Sequence, residues 1–387
     1  MSRTAAPRVA APDLVLSALA ACLLLVGLIA ITSASVGYAE EHYGNMWHHA
    51  QRHGIYLALA CIAGAVAYRV PVNFWYRSAW VWLLLSSLLL ILVLVPGVGR
   101  NVNGSQRWLA LGPLTLQPSE LAKAAMILFV AGYLVRQGQV LRESWRGFLR
   151  PMLVVALVAV LLLAEPDFGA SVIMLATVFG MLFLAGMRLG HLTVIMVVTV
   201  VLGGLLIQAA PYRLQRLIAY TDPWADPYGA GFQLIQSLIA FGRGEWFGVG
   251  LGNSVQKLFY LPEAHTDFVF SIWAEETGFV GAVALIAVFL ALVLRIFHLG
   301  RQARAVGEDF GAYLCFGVAI MFSGQAFVNM GVSAGLLPTK GLTLPLISYG
   351  GSSLITACGL LGIVLRVATE LQGLRKSTDR SRRGRAK

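Results

Sequence analysis

Apolar runs separated by short polar breaks fill most of the chain, at roughly 14–36, 54–70, 78–96, 119–136, 150–164, 169–187, 191–210, 266–298, 310–337 and 351–371. Crossing the hydrocarbon core of a bilayer takes about 20 apolar residues, and in lipid only a helix or a closed barrel satisfies its own backbone groups. Runs this continuous predict helices. The expected fold is therefore an all-α polytopic membrane protein with about ten transmembrane helices. The one long polar interruption, 211–265, falls between the seventh and eighth runs and is expected to be a large extracytoplasmic loop. Residues 1–13 then form a cytoplasmic N-terminal segment, 14–371 the membrane domain and 372–387 a basic cytoplasmic tail. The first run follows Arg3 and Arg8 as a signal peptide would, and Ser33-Ala34-Ser35 resembles a cleavage site. Its length exceeds the roughly 7–15 residues of a signal core, so it is expected to stay as an anchored helix.

Composition agrees. Of 387 residues, 58% are hydrophobic and only 12% charged, with a mean hydropathy of +0.75. A soluble domain of this length needs far more charge to cover its surface. Cys22, Cys61, Cys315 and Cys358 lie in different apolar runs without metal-ligand spacing, and are read as packing residues.

The placement of basic residues sets an orientation. One set of connections carries Arg69 and Arg77, then Arg136, Arg142, Arg146 and Arg150, then Arg188, then Arg301 and Arg304. The tail adds Arg375, Lys376, Arg380, Arg382, Arg383, Arg385 and Lys387. These belong in the cytoplasm, which places both termini inside. The net charge of +11 is thus topological rather than a nucleic-acid surface.

Four stretches on the opposite side carry candidate chemistry. The first, 97–112, runs into Gln117-Pro118-Ser119-Glu120-Leu121-Ala122-Lys123. Pro118 and Ser119 signal a helix start, with Ser119 a candidate cap. Glu120 and Lys123, three apart on that helix, can meet just inside the membrane. Ionisable residues at that depth are functional candidates, although a self-neutralising structural pair is the other reading. In the second stretch, Glu165 and Asp167 flank Pro166 in apolar surroundings, where they can bind a cation, accept hydrogen bonds or face interfacial water.

The third stretch is the long loop. Its glycine-rich run, 242–252, lacks the spacing and strand–helix context of a dinucleotide site. Arg213, Arg216, Arg243 and Lys257 are cations able to hold phosphate oxygens. Asp267 stands beside His265 where the loop re-enters the membrane. A low dielectric there raises a carboxylate above its ordinary pKa of about 3.9, the setting of a general base. A cap for the next helix, from Thr266 or Asp267, is the alternative. The fourth stretch, 335–353, breaks a helix with prolines and glycines at membrane depth. Such irregular backbone is tolerated where it is buried in protein or lines a wet cavity. Lys340 and the Ser/Thr/Gly cluster that includes Ser352 can meet a phosphate there; simple loop closure is the alternative.

At these residues the chain resembles the SEDS family (shape, elongation, division and sporulation). The resemblance rests on His265-Thr266-Asp267-Phe268, on 338–345, on Ile347 to Ser353, and on Gln106-Arg107-Trp108-Leu109, Gln117 to Glu120 and Glu165 to Gly169. It covers about residues 14–370, with the motifs in order, and Ala264 to Asp267 and 337–345 look like the cell-division branch rather than the elongation branch. The resemblance implies a peptidoglycan glycosyltransferase that polymerises lipid II into β-1,4 glycan at the division septum of a bacterial inner membrane. It implies Asp267 as the essential acid and Trp108, Glu120, Lys123 and Asp167 as further motif positions. It also implies a complex with a class B penicillin-binding transpeptidase (FtsI-like) and other divisome membrane proteins.

The expected reaction displaces α-linked undecaprenyl diphosphate with one inversion. The attacking hydroxyl needs a base, for which Asp267 is best placed. The leaving diphosphate needs cations, from Arg213, Arg216, Lys257, Lys340 or a divalent ion such as Mg or Mn. His265 and Ser352 complete the candidate substrate contacts. A lipid II flippase is the rival reading, since broken helices and intramembrane charge also suit a transporter; a wall-enzyme scaffold is a third.

Overall fold

The computed structural model describes residues 12–102, 105–112, 114–208, 211–339 and 341–385. In order these form helices α1 Leu14–Tyr43, α2 His48–Arg69 and α3 Val72–Leu94, then strands β1 Gly99–Val102, β2 Ser105–Leu111 and β3 Leu114–Leu116. Nine helices follow: α4 Pro118–Glu143, α5 Trp145–Ala164, α6 Phe168–Leu184, α7 Leu189–Gln208, α8 Pro211–Thr221, α9 Phe232–Gly244, α10 Val269–Ala305, α11 Asp309–Ser333 and α12 Gly351–Arg385. The chain is a multi-pass helical membrane protein. Among the described residues, eight helices are long and apolar enough to cross a bilayer: α1, α3, α4, α5, α7, α10, α11 and α12. The apolar α6 is shorter, at 17 residues. The first turns of α2 carry His48, His49, Gln51, Arg52 and His53, and it is not among the eight.

Every predicted apolar run overlaps a helix, and the differences have local causes. Helix α2 begins six residues before the expected 54, because its first turns are polar and carry no apolar run. The 211–265 region contains two helices, α8 and α9. Strands β1, β2 and β3 form a three-stranded antiparallel sheet in that order, in which Trp108 pairs with Arg100 and Leu109 with Leu116.

Helices α11 and α12 are the most enclosed, and α7 the least. The most extensive helix contact joins α2 to α12. It requires glycine: a Cβ on Gly362 would lie 2.2 Å from the Gly64 carbonyl oxygen, so the two backbones touch. Helix α10 is broken at Gly278, whose φ of 69° is left-handed. The segment after α9 repairs that break. Phe279 and Val280 donate backbone N–H to the carbonyls of Glu245 and Trp246, at 2.9 and 3.1 Å. The N–H groups of Val249 and Gly250 donate in return to the carbonyls of Glu275 and Glu276, each at 3.0 Å. Unpaired backbone groups would be costly at this depth. The glycine-rich run is thus a patch on a broken helix.

That patch is locked by two buried carboxylates that sequence reasoning passed over. Glu275 accepts from Ser254 Oγ, Val255 N and Gln256 N, and pairs with Arg243 at 3.2 Å. Glu276 accepts from Ser33 Oγ at 2.6 Å and from Lys257 Nζ at 2.8 Å. Segment 245–257, α10 and α1 are thereby one polar-stitched unit.

Candidate active site

At one pole of the bundle the turns 165–167, 261–268 and 338–350 meet the start of α4 and the sheet. Asp267 is half-buried on the turn before α10. That turn is wound on one carbonyl: Glu263 O accepts the N–H groups of Thr266, Asp267 and Phe268. The cap position of α10 is Phe268, with no side-chain cap bond, so neither Thr266 nor Asp267 serves as the cap that was the alternative reading. Thr266 Oγ1 donates back to Glu263.

Two further contacts fix the turn from the far side. Tyr349 N donates to His265 O at 3.1 Å. Asn329, buried on α11, donates from Nδ2 to Asp267 O at 2.8 Å and to Leu342 O at 2.7 Å. The 341–342 backbone is the wall beside the Asp267 carboxylate, for a Cβ on Gly341 would stand 3.1 Å from Oδ2. Ser237 of α9 bonds Ser271 Oγ and Ser333 O, each at 2.6 Å, and so ties α9 to both helices.

His265 belongs to a ring cluster absent from the sequence reading. Its ring centroid lies 4.8 Å from His49, 5.6 Å from Tyr38 and 5.7 Å from Tyr349. Burial depresses the His265 pKa, against a weaker opposing pull from Glu263. It packs the ends of α1 and α2 against the Asp267 turn.

The other motif carboxylates are interior. Asp167 caps α6 through Ala170 N at 3.1 Å and accepts from Ser119 Oγ at 3.0 Å. Ser119 is thus no helix cap; Gln117 holds that position of α4 and Pro118 opens the helix. Ser352 accepts from Gln117 N at 2.8 Å, joining α12 to the start of α4. Glu120 and Lys123 form an ion pair at 2.9 Å, with Lys123 the largest fully buried side chain. Trp108 is half-buried on β2.

Arg107 donates to the backbone carbonyls of Glu165 and Pro166. The Glu165 carboxyl itself is fully buried with neither oxygen bonded. Burial first, then the neighbouring Asp167, push its pKa up to about 8 against a partial pull from Arg107. The fold therefore holds a proton that the unfolded chain releases at its ordinary 4.5. The resulting stability is complete below pH 4.5 and is lost as pH rises through about 8. Glu165→Gln, neutral at every pH, is expected to unfold at a higher temperature than the wild type at pH 7–8, with the gain gone near pH 4.5. A thermal-unfolding series in detergent across that range measures it, and parallel pH curves for the two proteins would contradict it.

The candidate cations separate. Lys257 is buried and engaged by Glu276, Ser33 Oγ and Gly252 O. Arg213 and Arg216 lie on the short amphipathic α8, and Lys340 lies outside the described residues. A cavity of about 420 Å³ opens beside α8 and α9, between Gln215, Tyr228, Gln233, Pro262 and Thr339. Among the described residues no three His, Cys, Asp or Glu side chains are grouped to hold a metal ion.

The sequence is matched from residue 13 to 373 by the FtsW/RodA/SpoVE family profile, described as "Cell cycle protein". The chain is 50% identical over 369 residues to a protein named "Probable peptidoglycan glycosyltransferase FtsW" from Hahella chejuensis, covering 95% of this chain and 93% of that one. A protein of the same name from Alcanivorax borkumensis is 51% identical over 354 residues, covering 91% and 92%. Among solved structures, a chain of "Structural coordination of polymerization and crosslinking by a peptidoglycan synthase complex" matches with a TM-score of 0.76 and 34% identity, over 93% of this chain and 98% of that one. The Thermus thermophilus rod shape determining protein RodA matches with a TM-score of 0.68 and 33% identity, over 92% and 96%.

Proposed function

The chain belongs to the FtsW/RodA/SpoVE family of cell cycle proteins and is a peptidoglycan glycosyltransferase, and from that premise we propose that it polymerises lipid II into β-1,4 glycan with Asp267 as the general base. The observation that carries the role of Asp267 is its setting. It is a half-buried carboxylate on a turn held through three carbonyls, with its helix-capping alternative removed. A β product from an α-linked diphosphate donor requires one inversion. That means direct attack by the acceptor hydroxyl as its proton passes to the base. The proton goes to Asp267, the new bond forms at the donor's anomeric carbon, and undecaprenyl diphosphate leaves with the bond's electron pair.

The leaving charge needs cations at the same pole. Arg213, Arg216 and Lys340 are the proposed partners, because Lys257 is already committed within the fold. His265 and Trp108 are proposed to face the substrate, while Asp167, Ser352, Glu120 and Lys123 hold the α4 start that borders it. The distribution of basic residues supports ten crossings with both termini cytoplasmic and this pole outside. The likeness to a chain of a peptidoglycan synthase complex supports a crosslinking partner. That partner is proposed to be a class B penicillin-binding transpeptidase, FtsI-like, within a septal assembly of divisome membrane proteins.

The test is purified protein given lipid II, with and without the transpeptidase. Glycan polymer is the expected product. Transfer of labelled lipid II across a liposome bilayer without polymer would instead establish the transporter reading, which the relatives' names do not favour.

A further inference from the structure

Asn329 sits on α11 inside the apolar sequence Phe327-Val328-Asn329-Met330 and is 1% exposed. A buried amide is costly unless its hydrogen-bonding groups are used. Here one nitrogen serves two separate chain segments, Asp267 O at 2.8 Å and Leu342 O at 2.7 Å. The amide oxygen is buried without a partner. The side chain is thus retained for its two donations. Those donations go to the backbone of the Asp267 carboxylate and to the segment whose Gly341 lies against that carboxylate. One nitrogen on α11 therefore bonds both the Asp267 backbone and the segment beside its carboxylate.

Resting on the assignment of Asp267 as base, we propose that Asn329 is a positioning residue that registers the Asp267 carboxylate against the 341–342 backbone for attack. The residue type follows from its neighbours. Both partners are carbonyl oxygens, so the group between them must donate twice. An ionised aspartate of nearly the same shape would set oxygen against oxygen. A leucine of comparable size would donate to neither carbonyl. Misplacing a reacting group by about 1 Å costs on the order of 10²-fold in rate.

The test is steady-state polymerisation of lipid II by Asn329→Ala, Asn329→Asp and Asn329→Leu, with thermal unfolding and transpeptidase binding measured on the same preparations. All three are expected to lose on the order of 10²-fold in kcat with KM for lipid II little changed. The Asp and Leu variants keep the volume, so they are expected to keep the fold and the bound partner, melting lower only by what the lost hydrogen bonds cost. A space-filling role predicts near-normal kcat in one of those two variants, which overturns the proposal. So does a kcat loss that tracks lost melting temperature through the series. The base assignment is judged separately: an active Asp267→Asn sinks that reading, whereas an active Asn329→Asp beside an inactive Asp267→Asn sinks only this one.

Discussion

Purified Asp267→Asn and Asp267→Ala are expected to make no measurable glycan from lipid II while remaining folded and bound to the transpeptidase. Asn keeps the size and most of the hydrogen bonding but accepts no proton, so the loss should reach or exceed the roughly 10²–10⁴-fold typical of a positioned base. The turn predicts that folding survives. Its ties run through the carbonyls of Glu263, His265 and Asp267 and the side chains of Thr266 and Asn329, all of which the substitution leaves in place. Product formation, melting temperature and partner capture are read on one preparation. Near-normal polymerisation by the Asn variant would remove Asp267 from the mechanism.

The second large effect concerns the α4 ion pair. Lys123 has a side chain only 1% exposed and Glu120 one 9% exposed, so either alone is a stranded charge. Glu120→Lys and Lys123→Glu are each expected to destabilise by about 3–5 kcal/mol, the cost of leaving a buried charge unpaired. The double swap restores opposite charges at the same spacing and is expected to recover most of that loss. A residual deficit of about 0.3–1 kcal/mol remains because a lysine then stands in the first turn, against the helix dipole. Chemical or thermal unfolding of the four proteins forms a double-mutant cycle. If the swap is no more stable than the worse single variant, fixed surroundings rather than the partner set each charge. The pair's burial explains why its two readings were inseparable in sequence: spacing brings Glu120 to Lys123, but only packing shows how little of either reaches solvent.

The same limit runs through the fold. The helices were legible because apolar runs of bilayer length have few alternatives, and Asp267, Glu120 and Lys123 stood out as charges among them. The sheet was missed because β1 and β3 are four and three residues long in a loop rich in glycine and proline. Helix α8 was missed because Arg213, Gln215 and Arg216 make its composition read as loop, although its polar and apolar residues alternate at helical spacing. Lys257 looked like a phosphate ligand because nothing local shows that Glu276, nineteen positions on, folds back onto it. Asn329 was present as a lone amide in an apolar run, which is itself a signal. Its importance depends on two carbonyls, one of them 62 positions away, that no periodicity connects.

The proposed single inverting displacement releases one undecaprenyl diphosphate for each disaccharide added, a stoichiometry that product analysis reads out. Lipid II labelled in the lipid and in the sugar is polymerised by the purified protein with its transpeptidase. Released diphosphate is counted against disaccharides joined, and the anomeric configuration of every new linkage is determined. A one-to-one count and β linkages throughout are expected. Linkages of α configuration, or diphosphate released without glycan, would contradict that displacement.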